Sequence, residues 1–253
     1  MPPIDRLSPV PAYRQIADEL RVAISGGELA PGAKLPSERE LGETYAVDRG
    51  VVRRALALLQ AWGLVVTQHG RGAFVRARLR PPLRRVARNR LATTEGRSWR
   101  AFGADVEDGG LTPQVTTEIR RQPVPDEVAE RLELPYGSEV VVRARRMGAG
   151  GQTLMLATSY FPAPIVERVP RLEQLDTGPG GAFTLLEEAG FALRQEEAVS
   201  ARMPMPEEAS ALQLGPGTPV IRILRTIYDQ NDQPVEACDM LLAADRNELI
   251  YHL

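Results

Sequence analysis

Residues 35–75, LPSERELGETYAVDRGVVRRALALLQAWGLVVTQHGRGAFV, decide the fold of the front of this chain. Within them Ser37, followed three residues later by Glu40, forms a capping box that opens a short helix through Tyr45. A further helix begins at Asp48. On a wheel of about 100° per residue, Val51, Val52, Ala55, Leu58, Leu59 and Trp62 gather on one side of it, while Arg49, Arg53 and Gln60 fall together on the other. Gly63 stops that helix. Two β-favouring runs, 64–67 and 73–76, then flank the turn Gln68-His69-Gly70-Arg71-Gly72 and read as a hairpin with arginine at its tip. Upstream, Tyr13, Ile16, Ala17, Leu20, Ala23 and Ile24 stripe one face of a helix over 11–26, which Gly26 and Gly27 end.

Three helices and a hairpin make a winged helix-turn-helix layout. An α-helix about 10–12 Å across fits a major groove about 12 Å wide, and its first turn reaches the base edges. The charge distribution agrees. Residues 1–90 carry 16 Lys and Arg against 8 Asp and Glu, a net of +8, while the rest carries 15 against 25, a net of −10. A basic front on an acidic body suits one end meeting a polyanion, or a solvated basic connection.

The composition bounds the rest. A chain of 253 residues, 43% hydrophobic and 25% charged, has room for one or two globular domains and excludes wholesale disorder or a collagen-like repeat. Charged residues interrupt every apolar stretch well before the roughly 20 residues a membrane span needs, and MPPIDRLSPV lacks the apolar core of a signal peptide. The expectation is a cytoplasmic protein with no membrane partner. Cys238 stands alone, and His69 and His252 are the two histidines, so no internal disulfide, metal site or cofactor is expected.

The P-S-E-R-E-L helix start, the R-x-x-x-R-x-A-L helix and the Q-H-G-R-G hairpin together resemble the DNA-binding domain of GntR-type bacterial transcription regulators, over residues 10–76. The resemblance implies a DNA-contacting set of Arg39, Arg49, Gly50, Arg53, His69, Gly70 and Arg71. Where many relatives carry Ser or Thr after the first recognition-helix arginine, this chain has Gly50 and Val51. The alternative for the arginines is solvation or pairing with Glu38, Glu40 and Asp48. The resemblance further implies a homodimer on a palindromic double-stranded operator, half-sites about one helical turn apart, and the function of a repressor.

Residues 77–98 hold seven arginines and two prolines with no sustained apolar stripe and read as a linker between a domain at 1–76 and one at 99–253. Beyond it, strands are expected over 112–121, 139–147, 153–161, 191–201, 220–228 and 235–242, with short helices over 127–132, 165–169, 182–189 and 207–212. Hairpin turns at 148–152 and 229–233 make the sheet largely antiparallel, so the fold class is α+β. There is also an echo eighty residues on. Glu127, Ala129, Leu132, Leu134, Gly137, Val140 and Arg145 recur as Glu207, Ala209, Leu212, Leu214, Gly217, Val220 and Arg225.

This second part is similar to the UTRA effector domain of the HutC-like GntR subfamily, whose fold is shared with chorismate lyase, over about residues 98–250. The resemblance implies a small-molecule effector held by Arg143, Arg145, Ser159, Tyr160 and Glu236; Leu242 stands where sugar-phosphate sensors often have Tyr, which points to a less polar effector, whereas the arginines allow an anionic one. Arg143 and Arg145 lie two apart, so a strand aims both at one face, where they could fork onto a phosphate or carboxylate; a solvated or ion-paired face is the other reading. The alternative function is a chorismate-lyase-like enzyme. A relative with an all-helical, metal-binding effector domain conflicts with the strand-rich pattern and the missing histidines.

Overall fold

The computed structural model describes residues 4–68, 70–76, 83–87, 101–178 and 181–251. His69 therefore lies outside the described residues, as do 77–82 and 88–98 of the expected linker. The chain forms two compact units, Met1–Arg80 with Leu214–Thr218, and Pro81–Gln213 with Pro219–Leu253.

The first unit holds α1 (Ala12–Ser25), α2 (Glu38–Tyr45), α3 (Arg49–Ala61) and an antiparallel hairpin of β1 (Val65–Gln68) and β2 (Gly72–Val75). The capping box is present: the Glu40 N–H donates to Ser37 Oγ at 3.2 Å, and the Ser37 N–H donates to Glu40 Oε2 at 2.8 Å. The Ser37 hydroxyl, donating to Glu40 Oε2 at 2.7 Å, and then the Ser37 N–H hold the Glu40 carboxyl below its ordinary value. The apolar stripes of the three helices meet in one core of Ile16, Leu20, Leu41, Tyr45, Val52, Ala55 and Leu59, closed from the hairpin by Val65 and Val75. Val51, Leu58 and Trp62 pack against its margin. Residues 32–35 run beside the hairpin, with the Leu35 N–H donating to the Ala73 carbonyl at 2.8 Å and the Val75 N–H to the Ala33 carbonyl at 2.8 Å.

In the second unit six strands lie in the order β4-β5-β6-β9-β8-β7, every neighbouring pair antiparallel. They are β4 (Pro113–Pro123), β5 (Glu139–Ala149), β6 (Gln152–Pro162), β7 (Arg194–Arg202), β8 (Val220–Tyr228) and β9 (Pro234–Ala243). Helices α6 (Ala163–Arg168) and α7 (Gly181–Glu188), with the 3-10 turn Pro170–Glu173 between them, cover one face through Val166, Leu172, Phe183 and Leu186 against Val141 and Phe161. Helix α5 (Asp126–Leu132) covers the other through Val128, Ala129 and Leu132 against Val140, Val142 and Ala237. A short helix α8 (Pro206–Ala211) precedes β8.

Three elements depart from the sequence expectation. Within the stretch read as linker, β3 (Leu83–Ala87) forms a parallel ladder with β10 (Asn247–Tyr251). Its partner lies at the far end of the chain, so no local alternation announces it. Helix α4 (Ala101–Asp108) was also not foreseen, and the strand expected from 191 starts at Arg194, because Phe191 is drawn into the α7 core.

The eighty-residue echo is a real repeat, and the sheet shows its symmetry. Arg145 on β5 pairs with Ala157 on β6, while its equivalent Arg225 on β8 pairs with Cys238 on β9. Past the hairpins the offset is thus eighty-one. Thr158 and Asp239 are equivalents at that offset and pair with each other, so a pseudo-twofold passes through them. Glu133 and Gln213, both at positive φ (53° and 54°), and Gly137 and Gly217 (78° and 73°) repeat the same backbone in the two turns.

Leu59 is fully buried at the centre of the first unit. Leu59→Ala is expected to cost this unit about 2–5 kcal/mol, read as a lower urea midpoint followed through Trp62 fluorescence in a Trp99→Phe background. A loss under about 0.5 kcal/mol would contradict this core.

Candidate nucleic-acid interface and ligand face

On α3, Val52, Ala55, Leu56 and Leu59 point into the core, which leaves Arg49, Gly50 and Arg53 exposed on the opposite side. Asp48 caps the helix by position but makes no side-chain cap hydrogen bond. Arg39, Gly42, Glu43, Ala46, Val47, Asp48 and Arg49 line an open concavity where α2 turns into α3. A side chain at Gly50 would meet nothing within 4 Å, so the first turn of α3 is sterically open to an incoming surface.

Two of the three arginines touch carboxylates. Arg39 Nη1 lies 3.1 Å from Glu43 Oε1 with the side chains 66% and 63% exposed, and Arg53 Nε lies 3.9 Å from Glu38 Oε1 with 74% and 47% exposed. Pairs this open are worth about 0–1 kcal/mol, so phosphates or base edges can replace them at little cost. In the wing, Gly70 (φ 71°) and Gly72 (φ 109°) take left-handed backbone that only glycine adopts without strain, and Arg71 is exposed, its guanidinium 5.8 Å from the Phe74 ring centroid. Lys34, which sequence reasoning missed, is exposed beside the wing and pairs with Phe74 through a β-bridge. Its signal lay only in tertiary structure.

On the sheet, register sets which candidate effector residues meet. Arg143, Ser159, Cys238 and Arg225 lie in one cross-strand line, with Ile119 and Glu197 at its ends. Arg145 and Glu236 are two residues along their strands and so share this face. Tyr160 does not. It follows Ser159 directly, so the pleat turns it to the other face, where it packs with the α5 cluster. Burial, and then the nearby Asp239 carboxylate, raise its phenol above the ordinary value. Tyr160 is thereby separated from the other four expected residues.

Arg143 also departs from expectation. It is 4% exposed and donates from Nη1 to the Leu172 carbonyl at 2.8 Å and to the Gln174 carbonyl, and from Nη2 to the Leu175 carbonyl at 3.2 Å. Burial, and then the like charge of Arg145, lower its pKa from the ordinary value. Its guanidinium ties down the chain between the 3-10 turn and α7, so the two-arginine fork expected from the i, i+2 spacing is not formed.

Arg145 is freer. It donates from Nη2 to Ser159 Oγ at 2.9 Å and approaches Cys238 Sγ at 3.9 Å, while its buried Nε has no hydrogen-bond partner among the described residues. Ser159 Oγ lies 3.4 Å from the same sulfur. Glu236, 1% exposed, accepts from Arg225 Nη2 at 3.3 Å. Sequence reasoning aligned Arg225 with Arg145 in the repeat but did not place it, or Cys238, at the site; the repeat was the available signal. Burial pushes the Cys238 thiol up, against the pull of Arg225 and Arg145. Among the described residues no group of three His, Cys, Asp or Glu could hold a metal ion, and no helix is long and apolar enough to cross a membrane.

With both sites placed, the comparisons settle the family. Residues 12–75 match the model of the bacterial regulatory proteins of the gntR family, and residues 111–248 match the UTRA domain. This chain belongs to the GntR family. It is 34% identical over 238 residues to an HTH-type transcriptional regulator of Streptomyces coelicolor, covering 89% of this chain and 86% of that protein. It is 26% identical over 261 residues to the HTH-type transcriptional repressor NagR of Bacillus subtilis, covering 99% and 98%. A crystal structure of a GntR-family transcriptional regulator superposes with a TM-score of 0.66 at 29% identity, covering 96% of this chain and 97% of that one. This GntR-family member is an effector-responsive, DNA-binding transcription regulator with the HutC-type architecture, and the enzyme alternative is set aside with that assignment.

Arg143 makes a testable structural claim. Arg143→Met should leave three carbonyls without their donor and cost about 1.5–3 kcal/mol, with faster amide hydrogen exchange at 172–178. Unchanged exchange there would contradict the role. Cys238 is fully buried with a raised pKa, so in the native protein it should resist iodoacetamide at pH 8 and react once urea unfolds the second unit; rapid native alkylation would contradict its placement.

Proposed function

We propose that this regulator is a cytoplasmic repressor that binds a palindromic double-stranded operator as a homodimer and leaves it when a small anionic metabolite occupies the second domain. Residues 1–76 act as the reading head, 77–98 as the connection and 99–253 as the effector-binding and dimerising domain. The observation that carries this is the two-sided α3, whose buried stripe fixes it to the head while Arg49 and Arg53 stand exposed from its first turn and a half.

Each residue then has a role. Arg49 and Arg53 donate to base edges or phosphates in the major groove, with Arg39 beside them from α2. Gly50 lets the backbone approach closely because nothing projects from it. The wing, through His69, Gly70 and Arg71, lies along the neighbouring backbone. On the effector face Arg145 supplies the charge for an anion, with Ser159 at its side and Glu236 farther along the same face beside Arg225. The effector acts by favouring dimers whose two heads are wrongly spaced, since a ligand shifts an equilibrium only through its different affinity for the two states.

The test is selection of bound duplexes from a random DNA pool, followed by titration of the enriched sequence. The expected result is a pseudo-palindrome with half-sites about one helical turn apart, and a loss of about 1–3 kcal/mol of operator affinity in Arg49→Ala. Enrichment of no sequence, or unchanged affinity in Arg49→Ala, would contradict the proposal.

A further inference from the structure

The face between the sheet and α6–α7 gathers more positive charge than it neutralises. Arg143, Arg145 and Arg225 all lie on it. The carboxylate buried with them is Glu236, and Glu197, partly exposed opposite Arg225, is engaged by the Tyr251 hydroxyl at 3.2 Å. Arg143 is fully committed to backbone carbonyls. Arg145 and Arg225 are not. Each has a buried Nε without a hydrogen-bond partner among the described residues, an arrangement that costs free energy unless an acceptor arrives.

These two arginines are equivalents in the internal repeat, on β5 and β8, and so approach the middle of the sheet from opposite sides. Cys238 stands between them. Arg145 Nη2 lies 3.9 Å from its sulfur, and Arg225 pairs with it across the β8–β9 ladder. Glu236 holds Arg225 through one Nη only, at 3.3 Å, and the Phe183 ring centroid lies 5.0 Å from the guanidinium carbon. That cation–π contact engages the guanidinium carbon and leaves the Nε edge without an acceptor among the described residues.

We propose that Arg225 is the second anion-binding arginine of the effector site, and that a carboxylate or phosphate of the effector sits beside Cys238, clamped between Arg145 and Arg225. This rests on the effector reading given above and assigns it a residue beyond those the sequence suggested. Glu236 is a positioning residue. It orients Arg225 and, being negative, weakens the hold on the anion, so that the site releases its ligand readily. Arg143 takes no part in anion contact.

Inorganic phosphate and acetate, titrated separately into the full-length protein at constant ionic strength, test this by thermal shift. At least one of the two is expected to raise the Tm saturably, and the one that does names the head group. The response should vanish in Arg145→Met and in the double variant Arg225→Met/Glu236→Gln, which removes both members of the pair and so leaves no buried charge unpaired. Arg225→Lys, which keeps the charge but loses the Nε edge, should weaken the apparent Kd at least tenfold, and Glu236→Gln alone should tighten it about threefold or more. A response lost in Arg145→Met but retained in both Arg225 variants would overturn the clamp and leave the effector reading standing. A response unchanged in every variant, or absent with both anions, would overturn both.

Discussion

A guanidinium group taken out of water must find acceptors, because burying an unpaired charge costs more than most packing returns. That constraint organises the second unit. Arg143 meets it with backbone carbonyls and so becomes a fastening between β5 and the segment that enters α7. Arg225 meets it in part, with one carboxylate and an aromatic ring. Arg145 has a hydroxyl and the edge of a thiol, which are weak acceptors. The three residues look alike in the sequence, and their surroundings give them three different jobs. On the opposite face Arg222 shows the fully satisfied case, bound by both Glu127 and Asp239, which hold its pKa above the ordinary value.

The reading head obeys the complementary rule. Its arginines stay in water, where the carboxylates beside them contribute little, so they are available to a polyanion at small cost. The apolar stripe of α3 does the opposite work of fixing the helix, through Val52, Ala55 and Leu59 against α1 and α2. A helix with both properties can present charge rigidly. Rigidity matters here because a groove contact depends on the position of a side chain as well as its charge.

Much of this was legible in the residues. The three helices, the capping box of Ser37 and Glu40, the hairpin and the six central strands follow from local periodicity and turn chemistry, because each is stabilised by neighbours a few residues away. What periodicity could not show depended on distant partners. The ladder joining β3 to β10 links residues 83–87 to 247–251, and the three carbonyls that engage Arg143 come from a loop some thirty residues on. Tyr160 was separable in principle, since alternation places it opposite Ser159; the family pattern, which names them as a pair, outweighed that rule. The repeat pointed to Arg225, yet its meaning appeared only with the register, which puts Arg145 and Arg225 on one face.

The division of labour among the arginines is most directly read from their Nε–H signals, assigned with single arginine-to-lysine variants and followed by heteronuclear NMR during a titration with inorganic phosphate. The account predicts that the signals of Arg145 and Arg225 move together along one saturable curve while that of Arg143 stays in place. Movement of Arg143, or an unmoved Arg225, would contradict it.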